Sequence, residues 1–286
     1  MDMKLVREGR RVKEENESQA LFQKVVAGLE WNVGRGHVKT EAGLFATLRW
    51  LAMWRSHVLE RELWEHSEGR VLGGPFAGMR YLKAGTEGGM APRMLGSYES
   101  ELHSHLEAFI RDDFERIAVI GCAEGYYAVG LALRCPSSEI MAYDIKPEAR
   151  QACRELAELN GVSARVTIGC ECDPNAFANL AKYKTLIFCD IEGDELTLMD
   201  PGKNPALASI EGFIVECHEE FSPGISTSLQ NAFATSHNSQ LVTHKLSAPE
   251  LPAWMDRLTH LDQLLALWEW RTHPTPWLVL RRRPTT

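Results

Sequence analysis

From residue 117 to the C-terminus, seven short apolar runs alternate with stretches of helical pattern, and no other feature limits the fold as strongly. The runs are residues 117–121, 139–144, 164–169, 185–190, 213–217, 240–246 and 276–281. Runs that are apolar throughout are typical of strands covered on both faces, and strands separated by helices pair in parallel. The alternation therefore predicts an α/β fold with a doubly wound, seven-stranded sheet.

The stretches between these strands are predicted as helices. They cover residues 125–134, 147–160, 174–182, 193–209 and 224–235, and a longer amphipathic helix is expected over 250–271. In sheets of this kind a ligand binds beyond the carboxyl ends of the strands, near the point where the strand order reverses. The residues that follow the predicted strands are therefore the first candidates for a functional site.

The first 95 residues have a different pattern, and we predict a helical N-terminal region (1–95) followed by a core domain (96–286). Residues 1–67 have the periodicity of helices, with a break and a helix N-cap between Gly34 and Thr40. Residues 68–97 are rich in glycine, so we expect turns and a loop there. The helical region and the glycine-rich segment together would form a lid over the functional site.

Within the glycine-rich segment two short strands are expected, at residues 71–72 and 79–82. A loop is expected over 85–96, and its length is typical of a loop that covers a site. Residues 98–110 return to a helical pattern with one apolar face.

The second N-terminal helix has a broad apolar face. Trp50 and Trp54 are four residues apart, and Leu51 is adjacent to Trp50. Large apolar faces that stay exposed usually mark contacts with other chains. We therefore expect a homodimer in which part of this face meets a second subunit.

Composition limits the partners and the compartment. The net charge is −8, which disfavours binding to the phosphate backbone of nucleic acids. No apolar run approaches the roughly 18 residues of a membrane-spanning helix, and the N-terminus lacks the pattern of a secretory signal. The seven cysteines have no metal-binding spacing, so reduced thiols in a cytoplasmic protein are expected.

The turn after the first predicted strand has two glycines, Gly121 and Gly125. A dinucleotide site needs glycines spaced G-x-G-x-x-G, but here Ala123 and Tyr126 occupy two of those positions. Asp144 ends the second strand, where a carboxylate can accept both hydroxyls of a ribose or simply cap a helix. The turn and Asp144 together suggest a nucleoside with a tail that has no phosphate, such as S-adenosylmethionine.

Residues 117–145 and 185–199 resemble the class I S-adenosylmethionine-dependent methyltransferases, and specifically the FkbM-like branch. The fourth predicted strand ends in Asp190-Ile191-Glu192-Gly193-Asp194-Glu195, which matches the D-x-E-G-x-E motif of that branch. The first turn follows the branch less closely, since Val119 and Ala123 depart from its usual pattern. The resemblance implies a Rossmann-like methyltransferase sheet with a helical N-terminal extension.

The resemblance also implies a cofactor site for S-adenosylmethionine. Its residues would be Tyr98, Glu99, Gly121, Cys122, Ala123, Glu124, Gly125, Tyr126, Asp144, Ile145, Cys172, Asp173, Asp190 and Ile191. Among these, the glycine turn would line the methionine end and Asp144 would hold the ribose. Ile145 would pack against the adenine, and Asp173 could accept from its exocyclic amine.

Asp190 and Glu216 lie at the ends of the fourth and fifth predicted strands, which are expected to be neighbours, and His218 follows two residues after Glu216. Residues 186–221 contain nine acidic residues and Lys203 as their only lysine or arginine. One interpretation is a divalent cation site, with Mg or Mn held by Asp190, Glu216 and His218. Another is that His218 acts as a general base beside a carboxylate, with Asp190 as a second catalytic residue. A third is a purely structural role.

The resemblance implies a methyltransferase that acts on the hydroxyl of a small polar metabolite. A sugar or natural-product hydroxyl is the acceptor that the FkbM-like resemblance implies. An N-methyltransferase of a small amine is the alternative if the acidic residues attract an amine. A non-catalytic cofactor-binding or scaffold protein is the alternative from another class, because fold alone does not define function.

Overall fold

The computed structural model describes residues 3–83, 88–245, 250–273 and 275–284, with side chains from residue 19 onward. The chain divides into two compact units, Met1–Leu59 and Glu60–Thr286. The domain boundary after residue 95 stays a prediction. None of the helices in the described ranges is long and apolar enough to cross a membrane.

The first unit consists of α1 (Met3–Gly34), a 3-10 turn (His37–Lys39) and the start of α2 (Glu41–Ser67). The break between the helices has the predicted chemistry. Gly36 has a φ of 74°, and the Thr40 hydroxyl accepts a hydrogen bond of 3.1 Å from the Gly43 amide. The N-terminal helices are therefore present, as the periodicity predicted.

The second unit is built on one sheet of seven strands. These are β1 (Arg116–Ile120), β2 (Glu139–Tyr143), β3 (Val166–Gly169), β4 (Thr185–Cys189), β5 (Gly212–Glu216), β6 (His237–Val242) and β7 (Trp277–Arg282). Their order is β3-β2-β1-β4-β5-β7-β6, and only β7 runs antiparallel to its neighbours. The predicted α/β fold class is confirmed, and the strand order reverses between β1 and β4.

Helices pack on both faces of this sheet, which explains why every residue of β4 and β5 is buried. In chain order they are α3 (Met90–Leu95), α4 (His103–Arg111), α5 (Tyr126–Arg134), α6 (Pro147–Leu159), α7 (Ala176–Leu180), α8 (Glu195–Leu198), α9 (Ile225–Phe233) and α10 (His260–Leu267). α5 and α6 begin directly after the ends of β1 and β2, and α8 begins after β4. These three connections form the edge of the sheet where a ligand is expected.

Four local predictions were wrong. The expected helix over 250–271 is a 3-10 turn (Ala253–Arg257) followed by α10, because Thr259 caps a new helix by accepting from the Asp262 amide. The two short strands expected at 71–72 and 79–82 reduce to a single bridge between Arg70 and Arg80.

The loop expected over 85–96 contains α3, whose six residues are all buried. Residues 85–87 of that loop lie outside the described part. The helix expected over 193–209 is interrupted, since α8 has four residues and a 3-10 turn follows at Pro205–Ser209.

Candidate active site

The turn after β1 requires glycine at two positions. Gly121 has a φ of 81°, and a Cβ atom there would lie 1.6 Å from the carbonyl oxygen of Asp190. Gly125 has a φ of 97°, and a Cβ atom there would lie 2.8 Å from the sulfur of Cys153. The turn therefore lies directly against the end of β4 on one side and against α6 on the other.

Asp144 ties this turn to the end of β2. Its Oδ2 accepts a hydrogen bond of 2.9 Å from the Ala123 amide, and its Oδ1 accepts one of 2.8 Å from the Lys146 amide. Each carboxylate oxygen has a second lone pair that these bonds leave free. Asp144 is therefore a capping residue in this structure and keeps the capacity to accept hydroxyl groups from a ligand.

The residues predicted for the adenine lie around the ends of β2 and β3. The Ile145 side chain is 71% exposed, which is unusual for a large apolar residue beside a buried sheet. Cys172 is buried, whereas Asp173 is exposed and accepts two hydrogen bonds of 2.8 Å from Asn175. Ile145 and Asp173 thus lie at the solvent-facing edge, and Cys172 lies beneath it.

Three predicted cofactor residues of the first turn have side chains buried in the protein. Glu124 is fully buried and accepts a hydrogen bond from Tyr81. Cys122 is buried, and its contact with Cys153, together with burial, raises the pKa of its thiol. The Tyr126 hydroxyl is buried without a hydrogen-bond partner in the described residues. Any contact between these residues and a cofactor stays a prediction.

The Tyr98–Glu99 pair lies before α4. The Tyr98 ring lies under the Arg93 guanidinium, with 4.3 Å between the guanidinium carbon and the ring centre. Glu99 is 1% exposed and has a φ of 48°. Its carboxylate accepts hydrogen bonds from Arg271 (2.6 Å) and from the Tyr127 hydroxyl. Both oxygens of Glu99 are therefore already engaged inside the protein.

His218 forms a dyad with Glu195. The Nδ1 atom of His218 lies 2.7 Å from Oε1 of Glu195, which is fully buried and also accepts from the amides of Ile191 and Gly193. Burial acts to raise the pKa of Glu195, but these hydrogen bonds lower it overall. Because an ionised Glu195 accepts from Nδ1–H, the Nε2 atom of His218 faces the other way and is the chemically available nitrogen.

The Nε2 atom of His218 faces three carboxylates. It lies 3.7 Å from Asp190 Oδ1, 3.6 Å from Glu192 Oε2 and 3.7 Å from Glu216 Oε2. Burial acts to lower the pKa of His218, but the Glu195 hydrogen bond and the Glu216 charge outweigh it and raise the pKa. The structure thus brings together Asp190, Glu216 and His218, the three residues that the sequence placed at the ends of β4 and β5.

Arg271 is the functional neighbour that the sequence analysis missed. Its guanidinium donates to Glu99, Glu216 and Glu269, all of which are buried or nearly so. The Thr275 hydroxyl also donates to Glu216, at 2.5 Å. From the sequence, Glu216 was considered only with residues 186–221 and was not paired with a cation. Arg271 lies 55 positions after Glu216 in the chain, outside that range. A buried carboxylate needs a partner, and that requirement was the one signal for Arg271.

The Asp190 side chain is 30% exposed, yet its Oδ1 atom is buried and has no hydrogen-bond partner in the described residues. Burial raises the pKa of Asp190 well above its ordinary value, and Glu216 adds to the shift. In the part of the chain that the structure describes, one set of three side chains has ligand atoms within 4.8 Å of one another: Asp190, Glu192 and His218. This set contains two of the predicted metal ligands, Asp190 and His218, together with Glu192. One oxygen of the third predicted ligand, Glu216, is bound by Arg271.

No family model matches the chain. The release factor glutamine methyltransferase of Deinococcus radiodurans is 35% identical over 68 residues, which are 24% of this chain and 24% of that protein. The match therefore spans about a quarter of the relative's length.

Several solved structures are similar to this chain. A putative O-methyltransferase from Klebsiella pneumoniae is 13% identical and covers 66% of this chain and 81% of its own, with a TM-score of 0.44. An S-adenosylmethionine-dependent O-methyltransferase from Thermotoga maritima is 16% identical, and the match covers 64% of this chain and 65% of that protein, with a TM-score of 0.45. The O-methyltransferase TomG from Streptomyces achromogenes is 12% identical, and the match covers 68% of this chain and 86% of that protein, with a TM-score of 0.43.

Proposed function

We propose that this protein is an S-adenosylmethionine-dependent methyltransferase. The observation that carries the proposal is the edge formed by the turn after β1 and by Asp144. There Gly121 and Gly125 hold the turn close against the end of β4 and against α6, and Asp144 has lone pairs left for ribose hydroxyls. The local match to a release factor glutamine methyltransferase supports the same class.

The edge fits this cofactor better than a phosphate-bearing one. The turn lacks the third glycine of a pyrophosphate site, since Tyr126 begins α5 and is buried. Beyond Asp144, the exposed Ile145 side chain offers an apolar surface on which an adenine ring can pack. A ribose on Asp144 would then place the adenine over Ile145 and the tail towards the glycine turn.

The reaction that we favour is O-methylation of a small polar acceptor. When bound, the cofactor supplies an activated methyl group, so the protein has to orient the acceptor, exclude water and remove a proton. Nε2 of His218 is placed to take the proton of a hydroxyl group, and Glu195 holds the ring in the required orientation. The FkbM-like branch, a sugar or natural-product acceptor and a cytoplasmic location are parts of the same proposal.

N-methylation of a small amine is the second candidate, and a specific observation favours it. Glu192 adds negative charge beside Nε2 of His218, and its side chain is 67% exposed. A protonated amine would be attracted to this position, and a neutral amine hardly needs a base. A hydroxyl acceptor, in contrast, gains little from the acidic residues themselves.

A divalent cation would satisfy the same carboxylates. Asp190, Glu192 and His218 offer two oxygens and one nitrogen, a set that suits Mn and, less well, Mg. Such an ion would polarise an acceptor hydroxyl. If the ion belongs to the site, Mn²⁺ alone raises the melting temperature of the protein and Asp190→Asn abolishes that rise. Equal melting temperatures with Mn²⁺ and with chelator would contradict it.

Isothermal titration with S-adenosylmethionine, its demethylated product and NAD tests the proposal directly. We expect binding of the first two and no binding of NAD. Mass spectrometry of mixtures of hydroxyl and amine acceptors would then identify the methylated class. Absence of binding by the methyl donor would refute the proposed function. Binding without any methylated product would favour a non-catalytic cofactor-binding protein.

A further inference from the structure

Arg150 links the ends of two strands at the cofactor edge. It lies in the first turn of α6, and its Nη1 donates to the carbonyl oxygens of Asp144 (2.7 Å) and Ile145 (2.9 Å). The same nitrogen lies 3.5 Å from the sulfur of Cys170, directly after β3. One guanidinium group thus contacts the end of β2 and the end of β3.

The contact extends to β1 through Asp144. The carboxylate of Asp144 accepts from the amides of Ala123 and Lys146, while its carbonyl accepts from Arg150. Asp144 is therefore held from both its backbone and its side chain. The contacts to the backbone and to the side chain of Asp144 together hold its carboxylate towards the turn after β1.

Without Arg150, two successive carbonyl groups would lose their charged donor. The backbone at Asp144 and Ile145 would then be held less firmly, because Ile145 is also largely exposed. A shift of this backbone would move the Asp144 carboxylate and the Ile145 side chain together. The ribose and the adenine would lose their contacts by the same movement.

We propose that Arg150 is a positioning residue for the adenosine half of the methyl donor. It touches neither ribose nor adenine, and it acts through the backbone of Asp144 and Ile145. This inference rests on the proposed function, because it assumes that the Asp144–Ile145 edge binds S-adenosylmethionine. The inference adds that the affinity for the methyl donor depends on a residue of α6 that lies outside the motifs identified in the sequence.

Isothermal titration with S-adenosylmethionine and with adenosine tests this role in four proteins. These are the natural protein and the variants Arg150→Ala, Arg150→Lys and Arg154→Ala. Arg154 is the matched control, since it is exposed on the same helix and donates to the carbonyl of Arg150 at 3.1 Å. We expect Arg150→Ala to weaken both ligands about tenfold, the equivalent of one lost charged hydrogen bond. Arg150→Lys should recover part of the loss, and Arg154→Ala should bind normally.

The outcomes separate the two proposals. Failure of the natural protein to bind S-adenosylmethionine would overturn the proposed function. Normal binding by the natural protein and by Arg150→Ala would overturn the role of Arg150 alone. If Arg150→Ala does not fold, Arg150→Lys decides, because a residue that only stabilises α6 would leave the affinity of the folded lysine variant unchanged. Equal weakening by Arg154→Ala would also overturn the role.

Discussion

The two ring nitrogens of His218 have opposite surroundings. Nδ1 is fixed by the buried Glu195, whereas Nε2 faces Asp190, Glu192 and Glu216 at 3.6–3.7 Å. The first contact orients the ring, and the second sets how readily Nε2 takes a proton. Burial acts to lower the pKa of His218, but Glu195, Glu216 and Glu192 outweigh it and raise the pKa, so the histidine is a stronger base than a free imidazole and is protonated over a wider range of pH.

Replacing Glu195 tests this arrangement. Glu195→Gln removes a negative charge and weakens the hydrogen bond to Nδ1, so the pKa of His218 should fall. Asp194→Asn removes the same charge from an exposed neighbour and should leave that pKa close to its natural value. The measurement is a proton–carbon NMR titration of the His218 ring. An unchanged His218 pKa in the Glu195 variant would contradict the dyad.

Asp144→Asn tests the ribose contact. The substitution keeps one acceptor oxygen for the backbone but loses the charge that strengthens hydrogen bonds to hydroxyl groups. We expect the affinity for S-adenosylmethionine to fall at least about tenfold. Glu158→Gln makes the same change of charge near the far end of α6 and should not alter affinity. Isothermal titration measures both, and equal affinities would refute the assignment of Asp144.

At the scale of elements, the strands were predictable because their apolar runs are local and continuous. The turn after β1 was predictable for the same reason, since Gly121, Gly125 and Asp144 lie within one strand–helix–strand unit. The helix over 250–271 was not, because Thr259 begins a new helix where the apolar pattern continues. Arg271 was not predictable either, since contacts between distant segments leave no periodic trace in the sequence.

The burial of Glu99, in the segment before α4, has a consequence for stability. Burial raises the pKa of Glu99 to about 8, while Arg271 opposes the shift and Glu216 adds to it. Glu99 therefore holds its proton more tightly in the folded chain than in the unfolded chain. Its contribution is largest at low pH and is lost as the pH rises from about 4.5 to about 8.

Glu99→Gln isolates this contribution, because glutamine stays neutral at every pH. The free energy of unfolding of the variant, relative to the natural protein, should increase as the pH rises from 5 to 9. Urea denaturation at a series of pH values measures the difference. Glu158→Gln, on the exposed side of α6, should show no such trend. Parallel curves for Glu99→Gln and the natural protein would contradict the raised pKa.

At the scale of the whole molecule, the first unit carries an apolar surface on α2. Leu44, Phe45 and Leu48 are 56–66% exposed and lie on one face of the helix. Trp50 and Trp54 of the predicted face are half-buried instead. Exposed apolar faces of this kind usually meet another protein, and we expect a second copy of the chain.

The expected homodimer is tested by light scattering at micromolar concentration. Phe45→Glu should give the mass of a monomer while leaving the affinity for S-adenosylmethionine unchanged. Leu133→Glu places the same charge on another exposed apolar residue, on α5, and should leave the dimer intact. A monomeric natural protein would refute the dimer.

The positions of the seven cysteines allow ligand binding to be followed by thiol labelling. Six of them are buried, and Cys170 is exposed beside Arg150. A thiol-reactive fluorophore would therefore attach at one position, next to the edge predicted for the adenine. Its attachment rate would fall when that edge is occupied, so labelling kinetics could count filled sites in a mixture without any knowledge of the acceptor. A screen for ligands of this protein needs no engineered tag.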